Sequence, residues 1–377
     1  MTLGSQLLQV AQFSTVTRVS AVSCALVSLL AFGCTTDDRE SNTSDPTGIG
    51  SLGSTDDNGD GDGDDPTTTT GGGPKLDQGD GNESGTVPCG EGDFCDCEVP
   101  DHVPCDSAAD TPIARALGLS CPNEPAVNLT TDGNPAAIGK RNNFGNQNAF
   151  PPQEGSQFVV LGSGLVADLD NAAGLGACSS DLGAYDPITL KAPLVSQNVG
   201  GQTCADNPAL VGNGDCSNTI ADQLQGYSVN DYTELRFTTQ VPNTVNSISY
   251  SLAFFSYEYP DYYLSQFNDM YIGWLDSEVW TGNISFDEMG NPISLNAGFL
   301  DYRDDAGQAP ELHGTCMQGH AGTKWLTTTA GVQPGETITV VFAIFDVSDS
   351  ILDSYVFLDN FSWGCDGESP PSTVPIE

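Results

Sequence analysis

The chain has 377 residues, with 51 acidic against 10 basic side chains and a formal net charge of −41. A surface of that sign repels phosphate backbones and anionic headgroups, which excludes nucleic acid as a partner. It suits divalent cations, and equally a solvated exterior that resists aggregation.

The first element is an apolar run. Ala21–Gly33 (AVSCALVSLLAFG) carries no charge, is too short to span a bilayer and stops at Cys34. This is the layout of a bacterial export signal over residues 1–33, with Cys34 left at the new N-terminus as the site of lipidation. Plain secretion with cleavage near Gly33 is the alternative, in which Cys34 is an ordinary residue. The next residue is Thr35 rather than Asp, which in a Gram-negative cell directs the product to the outer membrane. The expectation is therefore an outer-membrane lipoprotein, or otherwise an extracellular protein of the cell envelope, held to the membrane by its N-terminal lipid.

Thr35–Pro88 contains 13 Asp or Glu against Arg39 and Lys75, with almost no apolar side chains. Such a segment buries too little apolar surface to offset chain entropy, so residues 34–88 are predicted to be a lipidated cysteine followed by a disordered acidic linker. As a flexible coil it spans about 40 Å root-mean-square. Gly48-Ile-Gly50-Ser-Leu-Gly53 fits a dinucleotide fingerprint but has no preceding strand and no following helix. Asp56-Asp-Asn58-Gly-Asp60-Gly61 opens like an EF-hand loop, yet its bidentate position falls on Thr67. Neither carries a function.

Beyond the linker there are 38 acids against seven bases, and ten cysteines: Cys89, Cys95, Cys97, Cys105, Cys121, Cys178, Cys204, Cys216, Cys316 and Cys365. An even number in an exported chain predicts up to five disulfides. Four of them crowd into residues 89–110 and predict a small stapled knot; the C-x-C spacing and the lack of a matched histidine pair argue against zinc there. Cys204 with Cys216 is the expected pair, closing a short loop around Asn213-Gly214.

Residues 111–366 are expected to form the folded domain. Asp110-Thr111-Pro112 starts a helix over Ile113–Leu119. Short strands separated by Gly, Asn, Asp and Pro follow. Gln157–Leu161 is a compact apolar run. Leu235, Phe237 and Thr239 alternate with polar neighbours, as do Ile248, Tyr250, Leu252 and Phe254, then Met270, Ile272 and Trp274, then Ile338, Val340, Phe342 and Ile344; Val356 and Leu358 mark a last strand. Alternation places Trp274 toward the core. The fold class this predicts is all-β: an antiparallel, jelly-roll-like β-sandwich with long disulfide-stapled loops. The polar residues 367–377 are expected to be a disordered tail.

Phe254-Phe255-Ser256-Tyr257-Glu258-Tyr259-Pro260, then Phe267-Asn268-Asp269, Leu275-Asp276 and Gly282-Asn283-Ile284, resemble the choice-of-anchor L domain of exported bacterial proteins. The closing signature is similar at Phe345-Asp346 and at Leu352-Asp353-Ser354-Tyr355-Val356-Phe357-Leu358-Asp359-Asn360-Phe361. The resemblance is strong over about Tyr232–Cys365 and extends back toward Arg115. It implies a cell-surface or secreted protein and no established catalytic activity. The anchor expected here is N-terminal, and the tail after Cys365 is too polar to hold a membrane.

Few residues offer chemistry. His102, His313 and His320 are the only imidazoles, and Gly162-Ser163-Gly164 lacks the spacing and following helix of a nucleophile elbow. His313, Cys316 and His320 read as a structural loop with Cys316 in a disulfide rather than as a transition-metal site. Carboxylates near Glu258, Asp261 and Asp269 raise glycoside hydrolysis, whose deciding quantity is their separation. Glu258, Asn268, Asp269, Asp346, Asp353 and Asp359 stand at strand ends and offer the hard oxygens that Ca²⁺ takes six to eight at a time; Asp349 lies among them. The alternative is that Asp353 and Asp359 accept backbone amides and fix turns. Tyr259, Tyr262 and Tyr263, beside Pro260, are expected to be exposed and to offer a stacking platform for sugars, against the alternative of loop packing. The leading expectation is a non-catalytic binding or adhesion module, Ca²⁺-stabilised, for a surface glycan or protein. A structural envelope protein and a carboxylate-based glycoside hydrolase are the alternatives, and no catalytic residue is assigned.

Overall fold

Alternation along a strand buries one face, and most residues singled out by that pattern converge on a single layer, with Met270, Ile272 and Trp274 buried in another. The computed structural model describes residues 97–377 apart from 123, 184–187 and 368. Cys34, the acidic tract, Cys89 and Cys95 lie outside the described residues. In chain order the strands are β1 (Asn128–Asp132), β2 (Ile138–Arg141), β3 (Phe158–Gly162), β4 (Val229–Gln240), β5 (Ser247–Ser256), β6 (Met270–Asp276), β7 (Thr281–Asn283) and β8 (Ile293–Ser294). They continue with β9 (Tyr302–Arg303), β10 (Ala321–Gly322), β11 (Leu326–Gly331), β12 (Thr337–Val347), β13 (Ser354–Gly364) and β14 (Ser372–Pro375).

Two antiparallel sheets result. The first runs β1-β4-β12-β6-β7, with β8 also on β6; the second runs β14-β11-β5-β13-β3-β2, with β10 on β5 and β9 on β10. The protein is an antiparallel, jelly-roll-like β-sandwich of nearly all-β composition. Leu235, Phe237, Ile338, Val340, Phe342 and Ile344 of the first sheet pack against Ile248, Leu252, Phe254, Val356 and Leu358 of the second in one buried layer.

Both outer faces are buried as well. Met270, Ile272, Trp274, Val341, Ala343 and Phe345 lie under Leu194, Ile220 and Leu224, the last two from the short helix α2 (Ile220–Leu224). Phe158, Val160, Phe255, Tyr355 and Phe357 lie under Phe144, Phe150, Leu312 and Met317. Strands covered on both sides carry apolar residues at successive positions, which is why Val340–Phe345 reads as one continuous apolar run. Trp274 is fully buried, but on the outer face under α2; the residues of β6 that face the inter-sheet core are Tyr271 and Leu275.

Three further expectations are corrected. The N-terminal helix α1 covers only Ile113–Ala116, with Pro112 at its N-cap and no side-chain cap; Gly118 at φ 93° follows its end. The C-terminal segment is not a loose tail: Ser372–Pro375 pairs with Leu326–Thr329 as edge strand β14. Backbone pairing needs no apolar side chains, so composition alone missed it. The cysteine-rich entrance is not a self-contained knot. Cys97 is joined to Cys365, 268 residues away, and Cys105 to Cys121. Next to Cys97 the chain docks on the turn between β4 and β5, where the Glu98 amide donates to the Thr244 carbonyl (2.9 Å), so Cys97 is tied to the sandwich rather than to a neighbouring cysteine. Cys204 is joined to Cys216 and Cys178 to Cys316.

Candidate functional site

Antiparallel register collects the acidic strand ends at one end of the sandwich. Ser354, which opens β13, is opposite Ser256, which closes β5, and Tyr355 is opposite Gly162 at the end of β3. In the other sheet Phe345 pairs with Met270 and Asp346 with Asn230. Glu258 lies just past β5, Asp269 just before β6, Asp346 at the penultimate position of β12 and Asp353 just before β13. Their exposures are 3%, 1%, 0% and 1%.

A register shift between Ile344 and Asp346 places a bulge in β4, where Asp231 adopts φ 47°. Bulges turn side chains that a regular ladder would keep on the other face. The buried Asp231 carboxylate thereby joins the cluster and accepts from the Leu182 amide (2.9 Å). Close approach is also enforced at Gly164, where a Cβ would sit 1.9 Å from the Asp353 carboxylate.

The donors here are few. Asp269 accepts from the Ser354 hydroxyl (2.7 Å) and the Val347 amide (3.4 Å); Glu258 accepts from the Asp269 amide at 3.5 Å. Asp353 accepts from the Ser180 amide (2.9 Å) and the Tyr355 hydroxyl (3.0 Å). Neither oxygen of Asp346 accepts a hydrogen bond of acceptable geometry. The Ser163 hydroxyl lies close enough to favour its ionised form, but donates to the Ser354 carbonyl (3.4 Å). None of the ion pairs among the described residues reaches these four carboxylates. Burial, reinforced by the neighbouring acids, therefore pushes the Glu258 and Asp346 carboxyls far above the usual range. Burial pushes Asp353 up to about 7, and Asp269 moves the same way.

The other expected members lie elsewhere. Asn268 is buried beside the cluster, but its amide donates to Gln223 (3.1 Å) and its oxygen accepts from the Asn296 amide (3.0 Å). Asp359 sits further along β13 and accepts from the amides of Gln153 (2.6 Å), Glu154 (3.1 Å) and Asn360 (2.7 Å), fixing turns rather than joining the acids.

The tyrosine platform is also revised. Tyr259 is buried at 5% exposure and donates to Asp305 (2.6 Å), because the loop folds back over the small cluster containing Leu295 and Leu300. Tyr263 is half-buried, with Arg303 4.9 Å above its ring. Tyr262 is 39% exposed. His320 stacks on Tyr257 at 3.7 Å, and its pKa is lowered by burial.

His102, Cys121 and Glu124 are the one set of three metal-type ligand atoms within 4.8 Å among the described residues. Cys121 is bound to Cys105 as a disulfide, so its thiolate is not available to a metal. His102 instead bridges Glu124 and Glu154 (2.9 Å). Sequence reading missed this bridge, as it missed Asp231, since no local pattern marks either.

The sequence profile of the choice-of-anchor L domain matches residues 171–364, just over half of the chain. The chain belongs to this family, and so to the surface-associated β-sandwich proteins of bacteria, a family not known for enzymatic activity. No curated protein and no solved structure matches it. No helix among the described residues is long and apolar enough to cross a membrane.

Proposed function

We propose that the protein is a lipoprotein of the bacterial outer surface, acylated at Cys34, that displays the sandwich on its acidic linker as a non-catalytic binding or adhesion module. The observation that carries the binding role is a set of exposed apolar side chains on three interlocked loops. Leu175 is 108% exposed, Leu264 71%, Ile351 60% and Tyr262 39%. Their loops are tied at the base: the Tyr257 hydroxyl donates to the Gly174 carbonyl, the Asp353 amide to the Cys178 carbonyl (3.1 Å) and the Tyr257 amide to the Asp353 carbonyl (3.1 Å). Apolar tips on a rigid base suit contact with a protein surface or the apolar face of a sugar.

A hydrolytic role is disfavoured by access. Five surface cavities of about 240–570 Å³ are lined by other residues, and the acids Glu258 and Asp269 are buried rather than set in a cleft. Two measurements test the proposal. Palmitate labelling should mark the wild type and not Cys34→Ala, and equal labelling of both removes the anchor. Binding to glycan and envelope-protein arrays should fall at least tenfold in Leu264→Ser/Ile351→Ser; unchanged binding, or none by the wild type, removes the loop-tip face.

A further inference from the structure

Buried carboxylates persist in folded proteins when hydrogen bonds, a cation or a proton compensates them, because an uncompensated buried charge is strongly unfavourable. Glu258, Asp269, Asp346 and Asp353 are all at least 97% buried and have no basic side chain among their partners. Asp346 adds the decisive observation. It is fully buried and faces Asp269, and although the Ser163 hydroxyl lies near, neither of its oxygens accepts a hydrogen bond of acceptable geometry. We propose that this end of the sandwich is a Ca²⁺ site in which Asp269 and Asp346 hold the ion directly.

The ligand chemistry selects the ion. The cluster offers only hard oxygens, with no imidazole or thiolate, which favours Ca²⁺ or Mg²⁺ over transition metals. The two direct carboxylates come from separate segments, one just before β6 and one at the end of β12, and leave the rest of the shell to hydroxyl, carbonyl and water oxygens, which suits the flexible, high coordination of Ca²⁺ better than the strict octahedron of Mg²⁺. No three of these acids bring one oxygen each within 4.8 Å of one another. Two carboxylates therefore bind directly, hydroxyl, carbonyl and water oxygens complete the shell, and Glu258 and Asp353 supply charge from further out. Affinity in the 10⁻⁴–10⁻³ M range typical of extracellular modules is expected. The ion would join the end of β12 to the start of β6, directly beneath the loops that carry Leu264 and Ile351. The site stands independently of the surface-binding reading, since it is defined by buried groups and read out on the protein alone.

The test is thermal unfolding of the full chain in chelator and in millimolar Ca²⁺, at constant ionic strength, with Mg²⁺ as a control for screening of the acidic surface. The wild type should gain roughly 1–6 °C at 1 mM Ca²⁺. Asp346→Asn removes the charge and keeps the shape; it should melt no lower than wild type in chelator and show no Ca²⁺ shift. Calorimetric titration of the wild type should give one saturable site per chain, a readout that does not depend on the variant folding. Equal melting in Ca²⁺ and chelator, no saturable site, or an Asp346→Asn variant that still shifts like the wild type would each overturn the assignment. The first two leave a proton shared by Asp269 and Asp346 as the compensation; the last puts the ion elsewhere on the acidic chain.

Discussion

Two aspartates, Asp215 and Asp346, are both buried to 0% exposure, and they are served in opposite ways. Asp215 accepts five hydrogen bonds: from the amides of Ser217 (3.1 Å), Thr219 (3.1 Å), Ile220 (3.3 Å) and Asn283 (3.1 Å), and from the Ser217 hydroxyl (2.6 Å). It welds the loop after Cys204 to β7 and to the start of α2, and Gly282 is required beside it because a Cβ there would stand 2.4 Å from its carboxylate. Asp346 has no donor of that kind. A buried charge surrounded by amides holds the fold together; one surrounded by other acids requires something the side chains do not supply.

The widest separation between the two should appear on truncation. Asp215→Ala strands several buried amides at once and is expected to lose about 3–5 kcal/mol in denaturant unfolding. Asp346→Asn in chelator should lose nothing, and a comparable loss in both would erase the distinction.

A second contrast lies in the inter-sheet core, where a hydroxyl chain runs from Tyr271 to Tyr250 (3.2 Å), Ser285 (2.5 Å), Thr328 (2.9 Å) and Thr373 (2.9 Å). Every member has a partner, so the chain is structural. Tyr250→Phe takes one partner from Tyr271 and one of the two hydroxyl partners of Ser285, and a loss of about 1–3 kcal/mol is expected by chemical denaturation.

Asp359 sharpens the comparison through pH. Burial pushes its pKa up to about 7 despite three amide donors. Between pH about 4 and 7 the folded state holds a proton that the unfolded chain has released, so this group lowers stability as pH rises through that window. Asp359→Asn should flatten the fall in melting temperature over that range by the equivalent of about 1–3 kcal/mol in chelator; a slope equal to wild type contradicts the assignment.

The smallest effect is expected at His102. Burial alone would lower its pKa, but Glu124 and Glu154 outweigh burial and raise it. Its ion pairs stabilise the fold fully below the ordinary histidine pKa and are lost as pH rises through the raised value. The bridge is partly exposed and screened, so His102→Ala should change stability by less than about 1 kcal/mol, and only at acidic pH.

The residues that alternate along the chain identified the strands and, for β4, β5, β12 and β13, the face that meets the central core. That information is local, since side chains two apart share a face whatever the strand pairs with. At Trp274 the same rule marked a buried face but not which core it joins, because burial on the outer face depends on α2, which is short and has no periodic signal long enough to read. Pairing of Cys204 with Cys216 across 12 residues was within reach for the same local reason, whereas Cys97 with Cys365 was not.

By itself the amino-acid sequence determined the sandwich class, the family and the strongly acidic character, because each follows from short-range pattern or composition. Only the tertiary structure decided that Glu258, Asp269, Asp346 and Asp353 share one buried end, that Asp359 does not, and that Tyr259 is covered. Those outcomes depend on strand register and on a bulge in β4, which couple positions more than 100 residues apart, such as Asp346 and Asn230, and no stretch of sequence short enough to show a period contains them.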